Sequence, residues 1–219
     1  MKIGTDGVLL GAWTRVGHNP NAILDIGAGT GVVALMLAQR SNAEVIDALE
    51  IDADAYEQCV ENFEMSPWGN RLYCYHAGLD EFVEEIEDQY ELIVCNPPFY
   101  SETVTSGSVQ RDRARQNEFL PFDELLTGVA KLLAENGVFT TIIPFKEKDD
   151  FVEMASGLGL FLNECLQVKG NATSAIKRTL LNFSRQEKVC KTVELIIESD
   201  RHQYTTDYVN LTKEFYLKM

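Results

Sequence analysis

The stretch Cys95-Asn96-Pro97-Pro98-Phe99-Tyr100 gathers residue types suited to chemistry on a flat ring that bears an amine. The short apolar run Glu91–Cys95 ahead of it reads as a buried strand. Two prolines then stop it, because proline has no N–H and drives the residue before it into an extended conformation. Asn96 is thereby held at a strand's end. Its carboxamide offers an acceptor oxygen and two donor hydrogens. That oxygen and a backbone carbonyl freed from the ladder can both accept from one NH2 group, and Phe99 adds an apolar face. A strand closing in a proline turn with a capping Asn would carry the same letters, so Asn-Pro-Pro alone does not separate the two readings.

A second group lies upstream. Ala22–Ile26 reads as a buried strand, Gly27-Ala28-Gly29-Thr30-Gly31 follows at once, and Val32 to Arg40 continues as an apolar helix. Strand, glycine turn and helix make the layout of a nucleotide-binding first crossover. Glycines admit a ligand close to the backbone, and the helix start offers free N–H groups. The spacing is G-x-G-x-G, not the dinucleotide G-x-G-x-x-G. A second strand, 44–50, ends in Glu50, placed to accept both ribose hydroxyls of a nucleoside. Asp52 caps a helix running to about Met65. A third strand covers 71–76, and Gly78-Leu79-Asp80 opens a third helix. Asp80 reads first as that helix's N-cap and second as a contact to an adenine amine.

These residues need a scaffold that brings strand ends together. Alternating strands and helices imply a mainly parallel sheet with right-handed crossovers and helices on both faces. Ligands gather at the carboxyl ends of such strands, where Asp25, Glu50, Asp80 and Asn96 all fall. Further on, 121–133 reads as an amphipathic helix closed by Asn136-Gly137, and 138–143 as strand five. A helix covers 146–156. Late strands follow at 161–168, 179–183 and 191–197, partly at an edge. A terminal helix covers 204–217, with an apolar stripe at 204, 208, 211 and 215. The opening Gly4–Trp13 segment reads as a short amphipathic helix capped by Thr5 or Asp6. The 219 residues fit one domain, 1–219.

Composition narrows the class. The chain is 45% apolar, enough for a full core and against disorder. No apolar run approaches the ~18 residues that span a bilayer, and a cytoplasmic protein is expected. Five cysteines with no CxxC pair suggest neither a disulfide framework nor a zinc site, and no metal is expected. The net charge of -15 argues at first against a nucleic-acid partner. The charge is uneven, however. Residues 1–100 carry 4 basic against 17 acidic side chains, and residues 101–219 carry 15 against 17. Arg111, Arg113 and Arg115 cluster in a polar segment, 101–117, that reads as a mobile loop over the site. Lys169, Lys177, Arg178 and Arg185 fall in a stretch without acids. Such clusters allow a local phosphate-facing surface.

Together these residues resemble a class I S-adenosylmethionine-dependent methyltransferase. The loop Asp25 to Gly31 is similar to that family's first motif, and Glu50 to its ribose acid. Asn96-Pro97-Pro98-Phe99 is similar to the tetrapeptide of enzymes that methylate adenine N6, guanine N2 or glutamine N5. The opening Lys2–Trp13, the Asn96 turn, Lys177-Arg178 and the closing Tyr204–Leu217 narrow the likeness to the bacterial tRNA1(Val) (adenine(37)-N6)-methyltransferase family. The resemblance implies a Rossmann-like, mainly parallel seven-stranded sheet with an antiparallel edge strand. It implies S-adenosyl-L-methionine held by Thr5, Asp25, Gly27, Gly29, Gly31, Glu50, Asp80 and Asn96. Asn96 and Pro97 would accept from the adenine N6, with Phe99 or Tyr100 stacked on the base. Arg111, Arg113, Lys177 and Arg178 would contact tRNA phosphates. Members of that family usually carry a further strand-forming segment ahead of the Lys-x-Gly-Thr-Asp-Gly piece, and this sequence departs from them in not having it. Protein glutamine-N5 and rRNA guanine-N2 methylation are the alternatives, with a non-catalytic nucleotide- or RNA-binding module as a third.

Overall fold

A computed structural model describes residues 4–98 and 120–217. One mixed sheet organises them. Its strands are β1 (Ala22–Ile26), β2 (Val45–Leu49), β3 (Leu72–Tyr75), β4 (Tyr90–Cys95), β5 (Leu133–Pro144), β6 (Phe161–Asn171), β7 (Ile176–Ser184), β8 (Lys191–Asp200) and β9 (Gln203–Tyr204). They lie in the order β3-β2-β1-β4-β5-β7-β6-β8-β9. The first five run parallel, β7 is antiparallel to both neighbours, and β9 is antiparallel to β8. The helices are α1 (Thr5–Trp13), α2 (Val32–Arg40), α3 (Ala53–Glu64), α4 (Leu79–Glu85), α5 (Phe122–Leu132), α6 (Lys148–Gly157) and α7 (Thr206–Thr212).

Near-continuous burial in β1 and β4 marks strands covered on both faces. Successive residues therefore feed two cores. Leu92 and Val94 pack with α1, α2, α3 and α7, through residues such as Leu9, Leu37, Phe63 and Tyr208. Ile93 and Cys95 pack with α4, α5 and α6, through Phe82, Leu125 and Phe151. Register does the rest. Ile26 stands opposite Leu49 on one side and Cys95 on the other, and Leu49 stands opposite Tyr75. The four strands end in one row, so Gly27, Glu50, His76 and Asn96 leave the sheet side by side.

The sheet exceeds the expected seven strands by two. An antiparallel strand does lie at the edge, β9, but the longer antiparallel strand β7 sits inside, between β5 and β6. Toward that edge the sheet is poorly covered: of β8 only Leu195 is buried, three residues are half-buried and the rest are exposed. His202 takes a positive φ of 62° at the turn after β8. The chain then pairs back as β9, so the terminal helix starts at Thr206, capped by the Thr205 hydroxyl accepting from the Tyr208 N–H at 3.2 Å. Asn136-Gly137 does not close a helix. It falls where the β4–β5 pairing jumps from Tyr90–Leu133 to Leu92–Val138, within β5. Asp52 does cap α3, accepting from the Ala55 N–H at 2.8 Å. No helix among the described residues is long and apolar enough to cross a membrane.

Phe183 ties β7 into the core that Ile93 and Cys95 share. Its ring lies 5.9 Å from Phe139 of β5 and 5.8 Å from Phe151 of α6. Phe183→Ala is expected to lower unfolding free energy by about 3–5 kcal/mol, read by denaturant titration.

Candidate active site

A cleft of about 1130 Å³ opens where β1, β2, β3 and β4 end. Its floor is the glycine loop. Gly27, Gly29 and Gly31 take φ values of 69°, 59° and 77°, a region that L side chains rarely adopt. Gly27 needs glycine for that backbone alone, since a Cβ there would meet nothing within 4 Å. Gly31 needs it twice over. A Cβ would lie 2.5 Å from the Phe63 ring and 2.8 Å from Cys59 Sγ. Gly31 is the N-cap of α2 and does not line the cleft.

Two carboxylates fasten the loop. Glu50, 8% exposed, accepts from the Gly29 N–H at 2.6 Å and from the Asp52 N–H at 2.9 Å. Asp25, 1% exposed, accepts from the Ala34 N–H in the first turn of α2 at 3.0 Å. Burial pushes the Asp25 carboxyl up to about 7, against the lowering effect of the Ala34 bond and helped by the nearby Glu50 charge. Asp6, Asp52, Asp80 and Glu124 also line the cleft. Burial, with Asp80 and Asp123 nearby, holds Glu124 above the usual carboxylate range. So acidic a wall favours a cationic ligand.

Asn96 lies on the same wall. Its Oδ1 is buried and has no hydrogen-bond partner among the described residues. Buried acceptors normally find a donor, so this atom stands out on the cleft wall. Pro97 and Pro98 continue the wall. Cys95, before them, faces the α4–α6 core, and burial pushes its thiol up, away from nucleophilic use. From above, α1 closes the site. Thr5, Asp6 and Gly7 line it, and a Cβ on Gly7 would lie 3.9 Å from Asn96 Nδ2 and 3.6 Å from Val32.

The cleft thus collects Thr5, Asp25, Gly27, Gly29, Glu50, Asp80, Asn96 and Pro97. Asp80 is not the cap of α4; that position is Gly78, leaving the exposed Asp80 carboxylate to the cleft. Phe99, Tyr100, Arg111, Arg113, Arg115 and the 101–117 segment lie outside the described residues. Lys177 is exposed near the start of β7. Arg178 instead donates from Nε to Asp6 Oδ2 at 2.8 Å. Sequence reasoning missed that pairing, because the partners are 172 positions apart. It also missed Gly7, whose only signal was a second small residue, Gly11, one helical turn on. Among the described residues no group of His, Cys, Asp and Glu is placed to hold a metal ion.

Comparison with known proteins adds relatives. Residues 8–143 match the methyltransferase small domain family. A tRNA1(Val) (adenine(37)-N6)-methyltransferase from Flavobacterium psychrophilum is 60% identical, covering 100% of this chain and 94% of the relative. One of the same name from Bacteroides fragilis is 46% identical over 100% and 92%. A solved structure, a predicted O-methyltransferase from Agrobacterium tumefaciens, aligns with a TM-score of 0.70 at 16% identity, covering 95% of this chain and 96% of that one. That last likeness is one of fold.

Two outcomes follow from the loop. Gly31→Ala combines positive φ with a clash against Phe63 and Cys59, and should cost about 2–4 kcal/mol in thermal or denaturant unfolding. Asp25 keeps its proton when folded up to about pH 7, while the unfolded carboxyl loses it near 4. Stability conferred by that proton is therefore lost as pH rises between the two values. Asp25→Asn retains an acceptor for Ala34 and should remove this fall, on the order of 2 kcal/mol between pH 5 and pH 7. Denaturant midpoints for both proteins across that range check it.

Proposed function

This chain belongs to the methyltransferase small domain family and to the tRNA1(Val) (adenine(37)-N6)-methyltransferases among its relatives, and on that basis we propose that it methylates the exocyclic N6 of an adenine in tRNA, position 37 beside the anticodon of tRNA1(Val), with S-adenosyl-L-methionine as donor. The observation that carries this reading is the buried Asn96 Oδ1, without a partner among the described residues, in the same cleft as the glycine loop and Glu50.

The cleft suits the donor. Its acidic lining complements a molecule that carries a sulfonium and an ammonium. Glu50 still has lone pairs for ribose hydroxyls, since each oxygen uses one on a backbone N–H. Asp25, under the glycine loop, stabilises positive charge once ionised. Bound there, S-adenosylmethionine supplies an electrophilic methyl group, so no metal is required for activation.

What the protein must supply is alignment and a better nucleophile. The N6 lone pair of adenine is delocalised into the ring. Asn96 Oδ1 accepts one N6 hydrogen and the Pro97 carbonyl the other, which favours a pyramidal nitrogen and localises the lone pair. Asn96 is held for this by the strand end, by the prolines after it and by Gly7 of α1 beside its carboxamide. The adenine leaves its stack to reach the cleft, as in other base-modifying enzymes. Phe99 is the residue we assign to stack on it. Lys177, exposed near the rim, is a phosphate contact, and Arg111 and Arg113 are proposed for the same role.

Incubation with labelled donor and separate tRNA, rRNA and protein fractions is expected to label tRNA. Nucleoside mass spectrometry should return N6-methyladenosine from position 37. Label in a protein fraction as N5-methylglutamine, or in rRNA as N2-methylguanosine, would overturn the assignment. Asn96→Ala should keep donor affinity within about threefold and lose roughly a hundredfold or more in kcat, measured in single-turnover assays. Donor affinity should rise with pH through about 7 as Asp25 ionises, and titration calorimetry of Asp25→Asn should show that dependence flattened.

A further inference from the structure

α1 packs on α2 through two glycines one turn apart. A Cβ on Gly11 would lie 2.7 Å from Met36 Sδ, and one on Gly7 would touch Val32. So close an approach fixes the spacing of the two helices. Its C-terminal end is held by the Arg40 guanidinium, which donates to the carbonyls of Gly11 and Thr14. Its N-terminal end has no side-chain cap, since Gly4 occupies that position. Beyond the buried Val8, Leu9 and Leu10, that end is held by the ion pair between Asp6 and Arg178, 2.8 Å from Nε to Oδ2, with side chains 29% and 34% exposed.

The pair joins residues 172 positions apart in sequence. Arg178 lies early in β7, opposite Pro144 at the end of β5, so its base is on the rim where the cleft opens. Asp6 belongs to the cleft wall, between Thr5 and Gly7. We propose that Arg178 is a positioning residue for the donor site: it clasps Asp6 and so holds the first turn of α1 over the cleft and against the Asn96 carboxamide. The basic stretch 166–185 thereby includes one side chain committed to shaping the pocket, rather than solely to meeting RNA phosphates. This rests on the reading of the cleft as the S-adenosylmethionine site.

The test is a double-mutant cycle on donor binding, read by titration calorimetry with S-adenosylmethionine and no RNA. Asp6→Asn and Arg178→Ala are each expected to weaken donor Kd by about three- to tenfold, and the double variant no further than either alone. Arg178→Lys should recover part of the loss, because it restores the charge without the guanidinium's geometry. Melting temperatures of the ligand-free variants should stay near wild type, since a part-exposed pair adds little to global stability. Asp6→Asn is nearly isosteric and keeps the test usable should Arg178→Ala fold poorly. If Arg178→Ala leaves donor Kd unchanged and raises only the KM for tRNA, Arg178 is a phosphate contact and the clasp is wrong. Independent, multiplying effects of the two single variants would also overturn it. Failure of the wild-type chain itself to bind the donor would instead reject the reading of the cleft.

Discussion

The site depends on one buried carboxylate. Glu50 spends its two oxygens on the N–H groups of Gly29 and Asp52, and so ties the glycine loop after β1 to the loop after β2. Charge-assisted bonds of this kind are strong enough to keep an ionised group out of water. They also settle the shape of what surrounds them. Gly29 donates to Glu50 from a backbone with a positive φ of 59°, and the Ala28 N–H, donating to the Leu49 carbonyl at 2.9 Å, repeats the tie one residue earlier. The loop is therefore built against the end of β2 before any ligand arrives.

Register then transmits that placement to the amide. Ile26 pairs with both Leu49 and Cys95, so whatever fixes the residues after Ile26 and Leu49 stands beside the residue after Cys95. That neighbour is Asn96, whose Oδ1 lacks a partner among the described residues. A satisfied core amide would have served stability better. On the proposed reading, an acceptor left open beside an acidic wall and a carboxyl raised to about 7 is polarity arranged in advance for a reaction. Helix α1 completes the arrangement, and its small residues at 7 and 11 let it come close enough to close the cleft.

Much of this was legible in the chain itself, because it rests on local patterns. Strand, glycine turn and helix at 22–40, the acid at 50 and the Asn-Pro-Pro stop at 96–98 each declare their conformation within a few residues. The late sheet was harder. β8 buries only Leu195, so alternation scarcely marks its length, and β9 is two residues that read as the start of a helix. Asp80 looked like a cap because capping residues and ligand acids share one side-chain chemistry; Gly78 takes the cap by backbone geometry. Arg178 could be placed by composition among basic residues, but its partner is 172 positions away in sequence, and only the folded sheet brings them together. For Phe99 and the arginines of 111–115, the sequence remains the sole guide.

The central claim is that donor pocket and amide acceptor face one another across a single rim. It is tested most directly by a crystal structure with S-adenosylhomocysteine and adenosine bound together. The account predicts the adenosine N6 within hydrogen-bonding distance of Asn96 Oδ1, with the cofactor ribose at Glu50 and its sulfur on the N6 side. Adenosine seated away from Asn96, or the cofactor held outside the glycine loop, would contradict it.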